Sequence, residues 1–242
     1  MPSLYAGTSG FAYAQWKPDF YPAGLPASRF LEHYAVRLNS VEINYTFRRM
    51  PPASTLENWV RATPPGFLFA VKAHQRITHI QRLKDAGSAT EFFLRAIDPL
   101  RATRWLGPVL FQLPPNLKCD PALLADYLAL LPGDLRYAFE FRHTSWLRDD
   151  VYDLLRRSNV SLGVAEAERL QIPDVMTADF VYYRLRMSAY SPEDLDRIWS
   201  RSQELLAAGK DLFLYFKHEE TPEGALNAGT VLRRWRELLG EG

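Results

Sequence analysis

The sequence predicts an α/β fold: a (β/α)8 barrel of the TIM type, regular or slightly irregular, formed by residues 1–242 as one domain. Eight short apolar runs rich in Val, Ile, Phe or Tyr alternate with segments of helical periodicity. Eight units in 242 residues average about 30 residues each, which is the size of one βα unit. An open doubly wound sheet is the alternative, but the Gly-rich turn of dinucleotide-binding folds is missing.

The predicted strands are short and end in turn residues. Because they alternate with helices, neighbouring strands are expected to pair in parallel through right-handed crossovers. The strands are Leu4–Ser9, Ser40–Tyr45, Phe67–Ala73, Gly107–Leu113, Arg136–Phe141, Val160–Ala165, Phe180–Leu185 and Leu212–Lys217.

The predicted helices carry apolar residues at helical spacing, and several begin with capping signals. Asp120, Ser191 and Thr221 each precede a proline, a pattern typical of an N-cap followed by the first helical residue. Pro99 is expected to kink or split the helix in which it lies. The helices are Ser28–Leu38, Ser54–Arg61, Thr90–Leu106, Pro121–Leu131, Leu147–Ser158, Pro192–Ala208 and Pro222–Leu239.

The composition is that of an ordinary globular protein, with 47% hydrophobic and 24% charged residues. The net charge of +1 does not favour a nucleic-acid partner, although a local basic pocket remains open. The sequence shows neither an apolar run long enough to cross a membrane nor the pattern of a signal peptide at Met1–Leu4. The single Cys119 excludes an internal disulfide. We therefore expect a cytoplasmic protein with no membrane partner.

Polar side chains stand at the ends of six predicted strands, where barrel enzymes place their chemistry. Strand parity puts them on a common face. Because both faces of a barrel strand are buried, charged residues there need a partner or a ligand. A ligand site is the favoured interpretation, and a structural network of ion pairs is the alternative. The residues are Glu42, Asn44, Lys72, Gln112, Glu140, Arg142, Arg184 and Lys217.

Specific roles follow from the chemistry of these groups. Glu42 and Glu140 are candidates for general acid and base, with Lys72 as the third catalytic candidate. The basic side chains would hold an anionic group. We also expect Glu42 to pair with Lys72, or with another basic residue of the rim, and its pKa to be lowered by that charge.

Histidines and aromatic residues follow several strands. His74, His79, His143 and His218 could join the two carboxylates in a metal site, but their spacing matches no metal motif. A metal is therefore not favoured, no cofactor is assigned, and His79 and His143 are expected to bind substrate or support loops. The aromatic residues after strands 1, 2 and 5 either pack loops or stack on a sugar or base. They are Phe11, Tyr13, Trp16, Tyr21, Phe47 and Trp146.

These segments resemble, in order and over almost the whole chain, the YecE-like family (domain of unknown function 72), whose members have a TIM-type barrel. The resemblance implies a site that includes Thr8, Ser9, Asn44, Trp146 and Asn227. It rests on Gly7-Thr8-Ser9-Gly10-Phe11, Phe20-Tyr21-Pro22, Val41-Glu42-Ile43-Asn44, Thr46-Phe47, Phe69-Ala70-Val71-Lys72, Thr78-His79, Leu110-Phe111-Gln112-Leu113-Pro114-Pro115, Glu140-Phe141-Arg142-His143, Ser145-Trp146, Tyr183-Arg184-Leu185 and Asn227-Ala228.

The sequence departs from the family pattern mainly after strands 7 and 8. Arg186-Met187 replaces His-Gly, and Lys217-His218 replaces an Asn pair. Phe11 and Arg48 stand where Trp and Tyr are usual. The half of the site formed by strands 1 to 5 is the safer part of the resemblance.

The predicted function is an enzyme, a hydrolase or an isomerase, that acts at the carboxyl-terminal mouth of the barrel. Its ligand would be a polar small molecule, phosphorylated, sugar-containing or nucleotide-like. Two alternatives stay open: a nuclease-like protein of nucleic-acid repair, and a non-catalytic module that binds a ligand.

Overall fold

Eight parallel strands form the sheet, in the order β1-β8-β7-β6-β5-β4-β3-β2. The computed structural model describes residues 2–166, 170–217 and 220–240. The predicted (β/α)8 barrel is confirmed, and so is its irregularity, which lies where β1 meets β2. The strands are β1 (Leu4–Thr8), β2 (Ser40–Ile43), β3 (Leu68–Lys72), β4 (Leu106–Gln112), β5 (Tyr137–Glu140), β6 (Ser161–Ala165), β7 (Phe180–Leu185) and β8 (Asp211–Phe216).

Helices connect the strands, except that the described residues between β6 and β7 form none. The split expected at Pro99 is confirmed: α3 ends at Ala96, and α4 carries Pro99 in its first turn. The expected outer bounds are wrong, since α3 begins at Gly87 and Leu106 already belongs to β4. Because proline has no N–H to donate, α3 cannot continue through it. The helices are α1 (Phe30–Arg37), α2 (Ala53–Arg61), α3 (Gly87–Ala96), α4 (Asp98–Ala102), α5 (Pro121–Ala129), α6 (Asp149–Arg157), α7 (Pro192–Ala207) and α8 (Glu223–Leu239).

The Asn39 side chain helps to close the barrel between β1 and β2. The described residues show one backbone bridge at this seam, between Ser9 and Glu42. Nearer the amino end of β1, the Asn39 side chain makes the hydrogen bonds that a paired strand would make. Its Nδ2 donates to the Leu4 carbonyl at 2.8 Å, and its Oδ1 accepts from the Ala6 N–H at 2.9 Å. The amide thus satisfies edge groups of β1 that a regular ladder would pair.

Tyr34 of α1 bridges the same seam. Its hydroxyl accepts from the Thr8 N–H at 2.8 Å and donates to the Ser40 carbonyl at 3.0 Å. Gly7 makes this close approach possible, since a Cβ at that position would lie 1.8 Å from the Ser40 carbonyl oxygen. The side chains of Asn39 and Tyr34 therefore close the seam, and the lack of a side chain at Gly7 lets the two backbones come close enough.

The barrel interior holds an apolar layer directly below the polar strand ends. Its members include Ala70, Leu110, Ala138, Tyr182 and Tyr215. Each lies two residues before a polar residue at the end of the same strand or directly after it, so strand alternation stacks the polar layer on the apolar one. A second, larger core fills the space between the strands and the helices.

None of the helices in the described ranges is long and apolar enough to cross a membrane.

Replacing Asn39 by Ala is expected to lower the free energy of unfolding by about 2–3 kcal/mol, because two strand groups lose their hydrogen bonds. Urea melts measure the loss. Asn58→Ala, on the exposed face of α2, is the matched control and should change stability by less than about 0.5 kcal/mol. Equal stability of the two variants would show that the Asn39 amide does not hold the seam.

Candidate functional site

Arg184 of β7 lies at the centre of the barrel mouth with 2% of its surface exposed. Its guanidinium binds Glu42 of β2 through two bonds, Nε to Oε2 at 2.8 Å and Nη2 to Oε1 at 2.6 Å. Its third nitrogen, Nη1, binds Glu140 Oε2 of β5 at 2.5 Å. Both carboxylates are buried, so one arginine joins three strands through a buried triad of charges.

The triad holds both carboxylates in the charged form. Burial alone would favour their neutral forms, but the Arg184 guanidinium outweighs it and lowers the pKa of Glu42 to about 2. The same balance, with help from Arg142, lowers the pKa of Glu140 to about 2. The expected lowering of the Glu42 pKa is confirmed. Of the two expected partners, Lys72 or another basic residue of the rim, the structure shows the second: Arg184 of β7 binds Glu42, and Lys72 does not.

Neutral donors complete the hydrogen bonding of Glu42. The Ser9 hydroxyl donates to Oε1 at 2.7 Å, and Asn44 Nδ2 donates to the same oxygen at 3.1 Å. The Tyr182 hydroxyl donates to Oε2 at 2.7 Å. With Arg184 included, Glu42 accepts five hydrogen bonds.

Glu140 is held in a similar way. Gln112 Nε2 and Arg142 Nε each donate to its Oε1 at 2.8 Å. Gln112 also accepts from Lys72 Nζ at 2.8 Å, so its amide links the lysine to the carboxylate. The predicted site residues of β3, β4 and β5 therefore form one continuous chain of hydrogen bonds.

Lys72 is a partly buried cation that lies against an aromatic ring. Its ammonium lies over the Phe47 ring, 4.2 Å from the centroid. Burial, and then the nearby Arg184 charge, lower its pKa from 10.5 to about 8. A lysine with this pKa can exchange a proton near neutral pH.

A cavity of about 360 Å³ opens above this network at the carboxyl ends of the strands. We call it the cation cavity, because six of the residues that line it carry a positive charge. Its lining is Ser9, Asn44, Tyr45, Phe47, Arg48, Lys72, Gln112, Arg142, Arg184, Arg186 and Lys217.

The cation cavity carries a surplus of positive charge. Arg184 and Arg142 are balanced by Glu42 and Glu140. The other four cations of the cavity make no ion pair with any described residue. They are Arg48, Lys72, Arg186 and Lys217.

Arg48 and Arg186 were noted in the sequence as departures from the family pattern but were not predicted as site residues. Arg186 follows Arg184 by two positions, so parity could have placed it on the same face. Its Nε is buried without a hydrogen-bond partner. Burial, and then the Arg184 charge, lower the pKa of Arg186. Arg48 follows a short 3-10 turn (Tyr45–Phe47), whose direction parity does not predict.

Thr8 lies outside the cation cavity. It stands one position before Ser9, so its side chain points to the opposite face, toward α1. Its hydroxyl donates to the Gly10 carbonyl at 2.6 Å and contacts the Tyr34 hydroxyl at 3.0 Å. It supports the turn after β1 instead of facing the mouth.

Trp146 and His143 also face away from the cation cavity. Trp146 is buried, stacks on Phe141 at 4.7 Å and donates to the Leu117 carbonyl at 2.8 Å. His143 accepts from the Ser145 N–H at 3.1 Å and thereby caps its own turn. These contacts are loop packing.

The remaining predicted residues lie at or beyond the rim. His79 meets the Phe47 ring edge-on at 4.8 Å, and burial followed by the Lys72 charge lowers its pKa. Asn227 is half-buried near the start of α8 and does not line the cavity. His218 lies outside the described residues.

The aromatic residues that follow β1 and β2 divide into two groups. Trp16 and Tyr21 are fully buried and stack at 5.8 Å, as loop packing requires. Phe11 and Tyr13 line a second cleft beside the cation cavity, and Phe47 lines the cavity itself.

The described part of the chain contains no group of three or more His, Cys, Asp or Glu residues placed to hold a metal ion. Glu42 and Glu140 already accept hydrogen bonds on all four of their oxygens.

The protein-family model described as "Protein of unknown function DUF72" matches residues 5–240. The chain belongs to the DUF72 family. The UPF0759 protein YunF of Bacillus subtilis (strain 168) is 31% identical over 157 residues, which are 62% of this chain and 54% of YunF. The chain thus spans about half the length of that relative.

Two solved DUF72 structures share the fold. A DUF72 family protein from Thermotoga maritima MSB8 is 29% identical, with a TM-score of 0.83 over 97% of this chain and 99% of that one. Another, from Enterococcus faecalis V583, is 18% identical, with a TM-score of 0.79 over 95% of each chain. The resemblance to this family in the sequence is therefore confirmed.

Replacing Arg184 by Met is expected to lower the free energy of unfolding near neutral pH by about 3–5 kcal/mol, because two buried carboxylates lose their shared cation. In the wild type, the low pKa values of both carboxylates stabilise the fold above pH 4.5, and this stabilisation is lost as the pH falls toward 2. In the variant, burial raises both pKa values. Its stability should therefore increase as the pH falls from neutral.

Denaturant melts across this pH range check the reversal of slope. Arg95→Met removes an exposed arginine that pairs with Glu91 on the surface, and it is the matched control. Parallel pH profiles for Arg184→Met and the wild type would contradict the triad.

Lys72→Met is expected to keep the free energy of unfolding near neutral pH within about 1 kcal/mol, because the lysine is not the counter-ion of Glu42. Below pH 8, the buried ammonium is charged and lowers the free energy of unfolding. This loss of stability disappears as the pH rises from 8 toward 10.5, because the folded protein then releases the proton. Wild-type stability should therefore rise with pH in this window relative to Lys72→Met. Melts of both proteins test this, and a loss of several kcal/mol in the variant would make Lys72 a structural counter-ion.

Proposed function

We propose that this chain is a barrel enzyme that acts on a phosphorylated small molecule at the barrel mouth, with the cation cavity as its phosphate site. The observation that carries the proposal is the positive surplus of that cavity, where Arg48, Lys72, Arg186 and Lys217 have no carboxylate partner among the described residues. Converging cations in a partly buried site favour a multiply charged anion. A phosphate group supplies such a charge together with several acceptor oxygens.

Arg184 and the two carboxylates have a positioning role in this proposal. Both oxygens of Glu42 and of Glu140 already accept hydrogen bonds, and their low pKa values leave no proton to donate near neutral pH. Neither group is therefore proposed as the general acid. They hold Arg184, whose rigid guanidinium forms the floor of the cation cavity.

Lys72 is the proposed acid–base residue. It lines the cavity, and its pKa of about 8 is close to neutral. Among the described residues its ammonium donates one hydrogen bond, to Gln112, which leaves donor positions for a substrate. A phosphate bound beside it would raise this pKa, because an opposite charge favours the ammonium. Hydrolysis and isomerisation both use such a proton transfer.

Calorimetric titration with inorganic pyrophosphate tests the anion site. Lys217→Gln is expected to weaken binding about tenfold, since a charge-assisted hydrogen bond contributes about 1.5–3 kcal/mol. Lys84→Gln removes an exposed lysine outside the cavity and is the matched control. Equal affinity in the Lys217 variant, or no pyrophosphate binding to the wild type, would contradict the proposal.

Catalysis is tested separately with a pool of phosphorylated metabolites followed by mass spectrometry. Lys72→Met should reduce turnover of any substrate by about 10²-fold or more, whereas pyrophosphate binding should weaken far less. Full turnover by the variant would exclude Lys72 as the acid–base group. Pyrophosphate binding without turnover of any compound would favour the non-catalytic module.

A further inference from the structure

A second cleft, of about 380 Å³, lies beside the cation cavity. We call it the aromatic cleft, because its walls are almost entirely apolar and carry no charged side chain. It is formed by the loop after β1, the end of β2 with the segment that follows it, and one face of α2. Its lining is Gly10, Phe11, Ala12, Tyr13, Ile43, Asn44, Tyr45, Pro51, Pro52, Thr55 and Trp59.

The rings of the cleft wall are held in place from behind. Trp59 stacks on the buried Phe69 at 5.6 Å, and Phe11 meets the edge of Trp59 at 6.3 Å. Because the core fixes these rings, the cleft offers a flat apolar surface that needs little ordering when a ligand binds.

The two cavities are adjacent, since Asn44 and Tyr45 line both of them. These residues follow β2 directly, and Tyr45 is 54% exposed at the boundary. One ligand that passes over Tyr45 can therefore place a charged group on one side and an apolar group on the other.

Asn44 adds a polar feature to this boundary. Its Nδ2 donates to Glu42 Oε1, and because a carboxylate can only accept, the orientation of the amide is fixed. Asn44 Oδ1 then points away from Glu42 and is buried with no hydrogen-bond donor.

We infer that the ligand is a phosphate ester that carries a planar ring, of the chemical class of a nucleoside monophosphate, with the phosphate in the cation cavity and the ring in the aromatic cleft. This rests on the proposed function for its anionic half. Rings stack favourably on aromatic side chains. An aliphatic phosphate would leave the aromatic cleft empty.

Calorimetric titrations with three probes separate the two cavities: pyrophosphate, ribose 5-phosphate and adenosine 5′-monophosphate. We expect the nucleotide to bind the wild type at least tenfold more tightly than ribose 5-phosphate, which is the gain of about one stacked base. Thr55→Trp fills the cleft from α2 and should remove this gain while leaving pyrophosphate binding unchanged. Ser54→Trp places the same ring on the exposed neighbouring position and should change neither.

A second variant and three binding results decide whether the aromatic cleft holds the ring. If Thr55→Trp fails to fold, Tyr45→Ser removes an exposed ring at the boundary and should reduce the nucleotide's advantage severalfold. Equal binding of the nucleotide and ribose 5-phosphate, or an equal loss of pyrophosphate and nucleotide in Thr55→Trp, would overturn the ring site. A single-stranded tetranucleotide that binds tenfold more tightly than the mononucleotide would overturn it in favour of nucleic acid. If the wild type does not bind pyrophosphate, the proposed function itself is refuted.

Discussion

The guanidinium of Arg184, shared between Glu42 and Glu140, is the interaction on which the mouth of this barrel depends. It ties β7 to β2 and β5 at the level where the apolar interior ends. Removing three charges from water is costly, and the cost is offset only because each carboxylate oxygen also accepts from the guanidinium or from neighbouring donors. A network satisfied to this degree has one geometry, so the residues above it stand on a rigid floor.

The triad also decides the electrostatics of the cation cavity. It occupies both buried carboxylates, so the four further cations of the rim have no counter-charge among the described residues. A chain with a net charge of +1 thereby contains a strongly positive pocket. Bulk charge averages over the whole surface, whereas binding responds to the field within a few ångströms. A balanced overall composition therefore does not reveal the charge of a local pocket.

Strand parity explains which part of the site was predictable. Alternation along a strand is a local property, and it correctly placed Lys72, Gln112 and Arg184 on the inner face. Parity does not predict which carboxylate pairs with which cation. Lys72 stands on the strand next to Glu42, yet Arg184 reaches that carboxylate from across the barrel. Which cation pairs with Glu42 therefore depends on how far each side chain reaches across the interior of the barrel.

By itself, the sequence determined eight strands that alternate with helices, the family and the face on which the strand-end residues lie, because periodicity and motifs are local properties of the chain. The tertiary structure alone decided that Arg48 joins the cavity, that Trp146 belongs to loop packing, and that Asn39 closes the seam. These facts depend on distances between residues far apart in the chain. Closure of the barrel and packing of its loops set those distances, and no local pattern encodes them.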